Sequence, residues 1–158
     1  MKKIFKQPAV LIYVVKNNKV LLAKKMKKIN SGKYTGYGGK IEAGETELQA
    51  AQRELKQESG LDAEMHSLRK VALVDFYNTE TNVWRVHVFM TSEFKGKPIS
   101  TDEMSDPKWF DISKLPIDIM IWSDEYWLPV VLRGKKIQAT IHLENFKMSI
   151  KYLKEQKN

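Results

Sequence analysis

Residues 39–61 read GKIEAGETELQAAQRELKQESGL, and this stretch decides the reading of the whole chain. Thr46 followed by Gln49 is a capping-box pattern, a hydroxyl and an amide spaced to satisfy each other's backbone N–H groups, so a helix is predicted to start just after the Gly44-Glu45 turn. Gly60 suits its C-terminal stop. Between them Leu48, Ala51 and Leu55 recur at helical spacing as one apolar stripe, and Glu54, Gln57 and Glu58 share a neighbouring face. Like charges at that spacing repel on a plain surface helix, so carboxylates projecting to one point invite a hard divalent cation. Magnesium suits them best, because it takes one or two carboxylates and completes its shell with water and phosphate oxygens. The alternative for an isolated Glu-x-x-x-Glu is a solvated acidic face.

Working outward, Gly36, Gly38 and Gly39 precede the helix in YTGYGGK, a glycine density that predicts tight turns or close approach of a ligand to the main chain. A Walker-type phosphate loop is excluded: the lysine-serine ending is missing and the run does not open directly onto a helix. The chain has 158 residues, enough for one domain, 1–158, with a continuous core. It contains no cysteine, which excludes cysteine nucleophiles, disulfides and Cys-based zinc sites and is compatible with a reducing cytoplasm, the expected location. Lysines ahead of an apolar run in MKKIFKQPAVLIYVV resemble a signal peptide. The run is short and β-branched, no small-residue cleavage site follows, and Asn17-Asn18 leads into a second apolar stretch, so a β-hairpin is expected instead. No segment is long enough to span a membrane as a helix.

The formal net charge of +8, from 27 basic and 19 acidic side chains, favours anionic partners. Lys24, Lys25, Lys27 and Lys28 form the densest basic run, either a solvated hairpin end or an attractor that draws a polyphosphate toward the acidic helix. Aromatic-basic interleaving of the kind single-strand readers use is absent, so stable nucleic-acid binding is not expected. Strands are predicted at 9–15, 20–24, 71–77, 83–94 and 108–112, a helix at 124–132, and a final hairpin from strands 137–143 and 148–153 turning near 144–146, with the last residues fraying. Strands before and after a central helix, with mixed connections, give an α/β class with α/β/α layering around a mixed sheet.

The full spacing is Gly, five residues, Glu, seven residues, then Arg-Glu-apolar-x-Glu-Glu-x-Gly-apolar, met here by Gly39, Glu45, Arg53, Glu54, Leu55, Glu58, Gly60 and Leu61. Only Gln57 departs, standing where the pattern has the first of two adjacent glutamates. This resembles the Nudix box along its whole length, and the chain is identified as a member of the Nudix hydrolase superfamily. The resemblance implies a Nudix α/β/α sandwich with the box as a loop-helix-loop, and metal-dependent cleavage of a diphosphate linkage.

Further stretches are similar to the MutT-type 8-oxo-dGTP diphosphatases of the animal kind: KVLL at 19–22, GYGGKIEAGET from Gly36, RELKQESGL from Arg53, VHVFMT from Val86, DEM at 102–104, PKWF at 107–110 and IWSDEYW at 121–127. That likeness implies a nucleobase pocket with Trp122 against the ring and Asp124 and Glu125 on its polar edge. Two adjacent carboxylates in a partly buried pocket do not both ionise cheaply, so one tends to hold a proton and to donate as well as accept. The alternative makes Asp124 a helix-starting acid and Trp122 and Trp127 core residues. Thr35 stands in the place of a base-contacting asparagine, and Glu125 in that of an aspartate.

The implied metal set is Glu54, Glu58, the Gly39 carbonyl, Glu103 from the loop before the PKWF strand (with Asp102 as its competitor) and Gln57 through its amide oxygen. The implied catalytic set is Glu54, Glu58, Glu103 and an Arg53-Glu45 pair that shapes the loop. Lys25, Thr35, Trp122, Asp124 and Glu125 would bind substrate. The expected reaction converts an oxidised purine nucleoside triphosphate to monophosphate and pyrophosphate with Mg2+, Mn2+ being the alternative ion. The partner is the nucleotide alone, and a monomer is favoured. Two other readings stay open: hydrolysis of another nucleoside diphosphate-linked substrate, and a nucleotide-binding protein weakened by Gln57.

Overall fold

The computed structural model describes residues 2–153. The strands are β1 (Ile4–Phe5), β2 (Ala9–Lys16), β3 (Lys19–Lys25), β4 (Tyr34–Thr35), β5 (Tyr37–Lys40), β6 (Arg69–Tyr77), β7 (Asn82–Thr91), β8 (Met104–Asp111), β9 (Lys136–His142) and β10 (Lys147–Leu153). The helices are α1 (Glu47–Ser59) and α2 (Asp124–Leu132), with single 3₁₀ turns at Met65–Ser67 and Ile117–Ile119. The sheet runs β10-β9-β6-β7-β2-β3-β4, with β1 on β7, β5 on β2 and β8 on β3. It is mixed: β2 and β1 lie parallel to β7 and β6 parallel to β9, while the remaining pairs are antiparallel.

The two-residue period of a strand sorts one apolar run into two cores. Val10, Ile12 and Val14 of β2 and Leu21 and Ala23 of β3 pack under Ala50, Ala51 and Leu55 of α1. The alternate residues Tyr13, Val20 and Leu22 join Val74, Val88 and Ile137 beneath Trp127 and Leu128 of α2. The result is the expected α/β/α layering. No helix among the described residues is long and apolar enough to cross a membrane.

The capping box forms as its spacing predicts: Gln49 N donates to Thr46 Oγ1 at 3.1 Å and Thr46 N to Gln49 Oε1 at 2.9 Å. Gly60 closes α1 in the left-handed region at φ 79°. The apolar stripe is rotated from the expected one. Leu48 is 37 % exposed, and Ala50, Ala51 and Leu55 make the buried face together with Glu58.

The larger correction is the glycine run. It forms strands β4 and β5 in place of turns, and none of Gly36, Gly38 or Gly39 has a positive φ. They pack closely against neighbouring protein, and all three also line a cavity, which leaves the alternative of close ligand approach open. The N-terminal half of β2 pairs with β5 and its C-terminal half with β3, so the chain changes partner at Gly36. A Cβ at Gly36 would lie 2.6 Å from the Ile12 carbonyl oxygen, and one at Gly38 would collide with the Val10 carbonyl.

Elsewhere β7 stops at Thr91 rather than 94, and β8 starts at Met104 rather than 108 because Met104 and Ser105 pair with Lys25 and Lys24 across a register shift. The C-terminal hairpin forms as expected, with Ile150 opposite Ala139. The expected fraying of the last residues falls on 154–158, outside the described residues.

Candidate active site

Arg53 is the tie between helix and loop. Its Nε and Nη2 donate to the two oxygens of Glu45 at 2.6 and 2.8 Å, and Nη2 also reaches the Lys40 carbonyl at 3.0 Å. Nη1 donates to Glu54 Oε1 at 2.6 Å and to Gln57 Oε1 at 3.3 Å. The planar fork suits a bidentate carboxylate, so α1 and the 40–45 loop are held in one register. The Arg53 guanidinium, helped by the Glu42 amide, pulls the Glu45 carboxyl down to about 2.

Beside this tie Glu54 and Glu58, one turn apart on α1, come together. Glu58 is only 9 % exposed. Burial, then the neighbouring Glu54 carboxylate, then Glu103, push its pKa up to about 8. Without a cation the pair therefore keeps a proton at neutral pH. Gly39 makes room for this arrangement, since a Cβ there would stand 2.5 Å from the Glu54 carboxylate. Lys25, half buried, faces the same place: burial lowers its pKa while Glu58 and Glu103 raise it. Glu103 enters from the loop ahead of β8, with its carboxylate 3.7 Å from Lys27 Nζ.

A cavity of about 290 Å³ connects two chemically different ends. Gly38, Gly39, Glu58, Glu103 and Lys25 line one end; Leu11, Phe76, Trp84, Val86 and Leu143 line an apolar wall toward Thr35 and Asp124. Asp124 is the first residue of α2, 3 % exposed, and accepts a hydrogen bond from Trp127 Nε1 at 3.2 Å. Burial pushes its carboxyl up to about 7.

Several predicted site residues are thus brought together: Gly39, Glu54, Glu58, Glu103, Lys25, Thr35 and Asp124, with Arg53 and Glu45 behind them. Two are placed elsewhere, and Gln57 sits at the exposed rim: its Oε1 accepts from Arg53 Nη1, the same group that holds Glu54 Oε1, so it stands beside Glu54. Trp122 packs edge-on against Phe146 and Tyr126 in an outer patch, outside the cavity. Glu125 faces the Tyr126 phenol and raises its pKa. Successive helical side chains diverge by roughly 100°, so Asp124 points inward and Glu125 does not. The raised pKa of Asp124 accordingly comes from burial and not from an adjacent carboxylate. The wall residues Phe76 and Trp84, a directly opposed pair on β6 and β7, were not legible as site residues, since apolar strand positions read as core.

Among the described residues no three His, Cys, Asp or Glu side chains stand together as a ready-made metal cage. The two clustered carboxylates do fit an ion that takes one or two of them and draws its other ligands from water and phosphate. Glu54 and Glu58 would hold it, with Glu103 across the cavity.

The two raised carboxyls set a pH dependence. Both Asp124 and Glu58 have folded pKa values above those of unfolded carboxyls, so the stability linked to them is full below about pH 4. It is lost as pH rises through about 7 for Asp124 and about 8 for Glu58. With chelator present, the urea midpoint should fall between pH 5 and 8.5. Asp124→Asn should remove the Asp124 share, roughly 2–4 kcal/mol at the alkaline end. An equal slope in the variant would mean that Asp124 is ionised in the folded protein.

Residues 5–131 match the NUDIX domain family. The oxidized purine nucleoside triphosphate hydrolase of Danio rerio is 41% identical over 127 residues, 80% of each chain. That of Mus musculus is 35% identical over 127 residues, again 80% of each. In fold, the chain is similar to a mutator MutT protein from Bacillus halodurans, with a TM-score of 0.73 at 22% identity over 93% of this chain and 97% of that one. Enzymes of this family generally work with a divalent metal ion, and the acidic cluster on α1 is where this chain would take one. On the extent of the family match and the identity to these relatives, the chain belongs to the Nudix hydrolase family.

Proposed function

We propose that this Nudix hydrolase cleaves oxidised purine nucleoside triphosphates such as 8-oxo-dGTP to the nucleoside monophosphate and pyrophosphate, clearing damaged nucleotides from the precursor pool. The observation that carries this reading is the two-ended cavity: a carboxylate cluster and Lys25 at one end, and a buried, protonatable Asp124 beyond an aromatic wall at the other. A triphosphate and its base have complementary surroundings in one space.

Glu54 and Glu58 would hold the divalent ion, Mg2+ by preference with Mn2+ as substitute, and the ion supplies phosphate charge neutralisation and a more acidic water. Lys25 pairs with phosphate oxygens. A water oxygen attacks phosphorus, its proton passes to the Glu54-Glu58 cluster, the phosphoanhydride bond breaks and pyrophosphate leaves. Glu103 assists from the opposite wall, and the Arg53-Glu45 pair keeps Glu54 in place. At neutral pH the Asp124 carboxyl is poised to donate to or accept from the base edge, and Thr35 lies beside it. The protein works as a monomer in the cytoplasm, without stable nucleic-acid binding.

Retention of Glu54, Glu58 and Arg53 in the cluster favours hydrolysis over mere nucleotide binding. Gln57, turned to Arg53, takes no anion away from the Glu54-Glu58 pair. The deciding experiment is a substrate panel of 8-oxo-dGTP, 2-hydroxy-dATP, dGTP and ADP-ribose with Mg2+, following pyrophosphate or phosphate release. We expect kcat/KM for 8-oxo-dGTP to exceed that for dGTP by about tenfold or more. No release at high enzyme, with either Mg2+ or Mn2+, would overturn the assignment.

A further inference from the structure

Buried polar atoms in a folded protein nearly always find partners, so those that do not call for an explanation. Two such atoms are the Tyr13 hydroxyl and Asp124 Oδ2, neither of which has a hydrogen-bond partner. Tyr13 comes from the middle of β2 and is fully buried. It sits directly behind the cavity wall: a Cβ at Gly36 would stand 3.0 Å from its ring, and the Thr35 hydroxyl and Gly36 amide draw its pKa down. Gly36, Thr35 and Asp124 all line the cavity.

The two orphan groups are also close in space. The Asp124 carboxylate raises the Tyr13 pKa, second only to burial itself. Trp127 joins them from above, with its ring edge on Tyr13 at a centroid distance of 6.1 Å and its Nε1 on Asp124 Oδ1 at 3.2 Å. The carboxyl is thus held through one oxygen by Trp127, while its second oxygen is buried without a partner.

We infer that Tyr13 is a positioning residue for base recognition, its hydroxyl supporting Asp124 from behind the wall and setting which purine edge that carboxyl meets. This rests on the base-end assignment made above. A phenol both donates and accepts. Turned toward Oδ2, its O–H dipole stabilises the carboxylate, which accepts from the N1–H and 2-amino group of a guanine-type edge; turned away, it leaves the protonated acid free to donate its one proton to N1 of an adenine-type edge. Without the hydroxyl, an apolar surround drives Asp124 to the protonated form. Guanine-type ligands then lose more than adenine-type ones.

The test is Tyr13→Phe, which deletes only the hydroxyl. Because that hydroxyl is buried without a partner, the variant should fold with a urea midpoint at or above that of the wild type. Calorimetric binding of 8-oxo-dGMP and 2-hydroxy-dAMP, with chelator present and no hydrolysis to follow, gives the ratio of their dissociation constants. We expect that ratio to move by about five-fold or more against 8-oxo-dGMP. A ratio unchanged within two-fold, or a wild type with no preference between the two ligands, overturns the inference. Preferential binding by the wild type together with no pyrophosphate release would sink the hydrolase reading, and Tyr13→Phe would still decide this one.

Discussion

Glu58→Gln should lower kcat for the preferred triphosphate by about three orders of magnitude while leaving the folded protein at least as stable as before at neutral pH. Glu58 lies under the helix with only 9 % of its surface exposed, and its pKa is pushed up to about 8 by burial and by Glu54 beside it. In the metal-free protein at pH 7 it is already largely neutral, so the amide is close to an isostere of the form present. Only when a cation and the triphosphate enter is the carboxylate required. Loss of rate without loss of stability therefore separates a site role from a core role. Turnover and urea unfolding measured on the same preparation make the check, and a variant retaining more than a tenth of the wild-type rate would place the reacting centre elsewhere.

Gly39→Ala should have the second largest effect, a fall in activity of about a hundredfold with a parallel weakening of Mn2+ binding. A Cβ there would stand 2.5 Å from both Cδ and Oε1 of Glu54 and 2.7 Å from its Oε2. A free surface glutamate would swing aside at little cost. Glu54 is held by Arg53 Nη1 at 2.6 Å, and Arg53 in turn by both oxygens of Glu45, so movement of the carboxylate breaks a chain of charge-assisted bonds. Titration of Mn2+ by electron paramagnetic resonance reads the site without turnover. Unchanged Mn2+ affinity alongside normal activity would show that Glu54 tolerates displacement and is not a ligand.

Gly39 also shows what kind of information a sequence withholds. Its place in the box is legible by spacing alone, yet the reason for a glycine there is a contact with a residue fifteen positions away. Gly36 and Gly38 are the same: each is needed for approach to β2, and neither sits in the tight turn that local glycine density suggests. At the base end Trp122, Asp124 and Glu125 look equivalent on paper. They part company once α2 is packed on the sheet, with Asp124 facing the cavity, Glu125 meeting Tyr126 and Trp122 meeting Phe146.

What the sequence by itself determined is the part governed by short-range geometry. The Thr46-Gln49 capping box, the Gly60 stop, the start of α2 at Asp124 and the pairing of Glu54 with Glu58 all follow from the pitch of one helix and the chemistry of its ends. Two strands on either side of Asn17-Asn18 follow from apolar alternation in the same way. Only the tertiary structure decided that Glu58 is buried while Gln57 lies outside, that Phe76 and Trp84 form a cavity wall, and that Tyr13 backs Asp124. Each of these depends on which face of the sheet a helix covers and where that cover ends. A pattern of apolar and polar positions states that a face is buried, and leaves open what buries it.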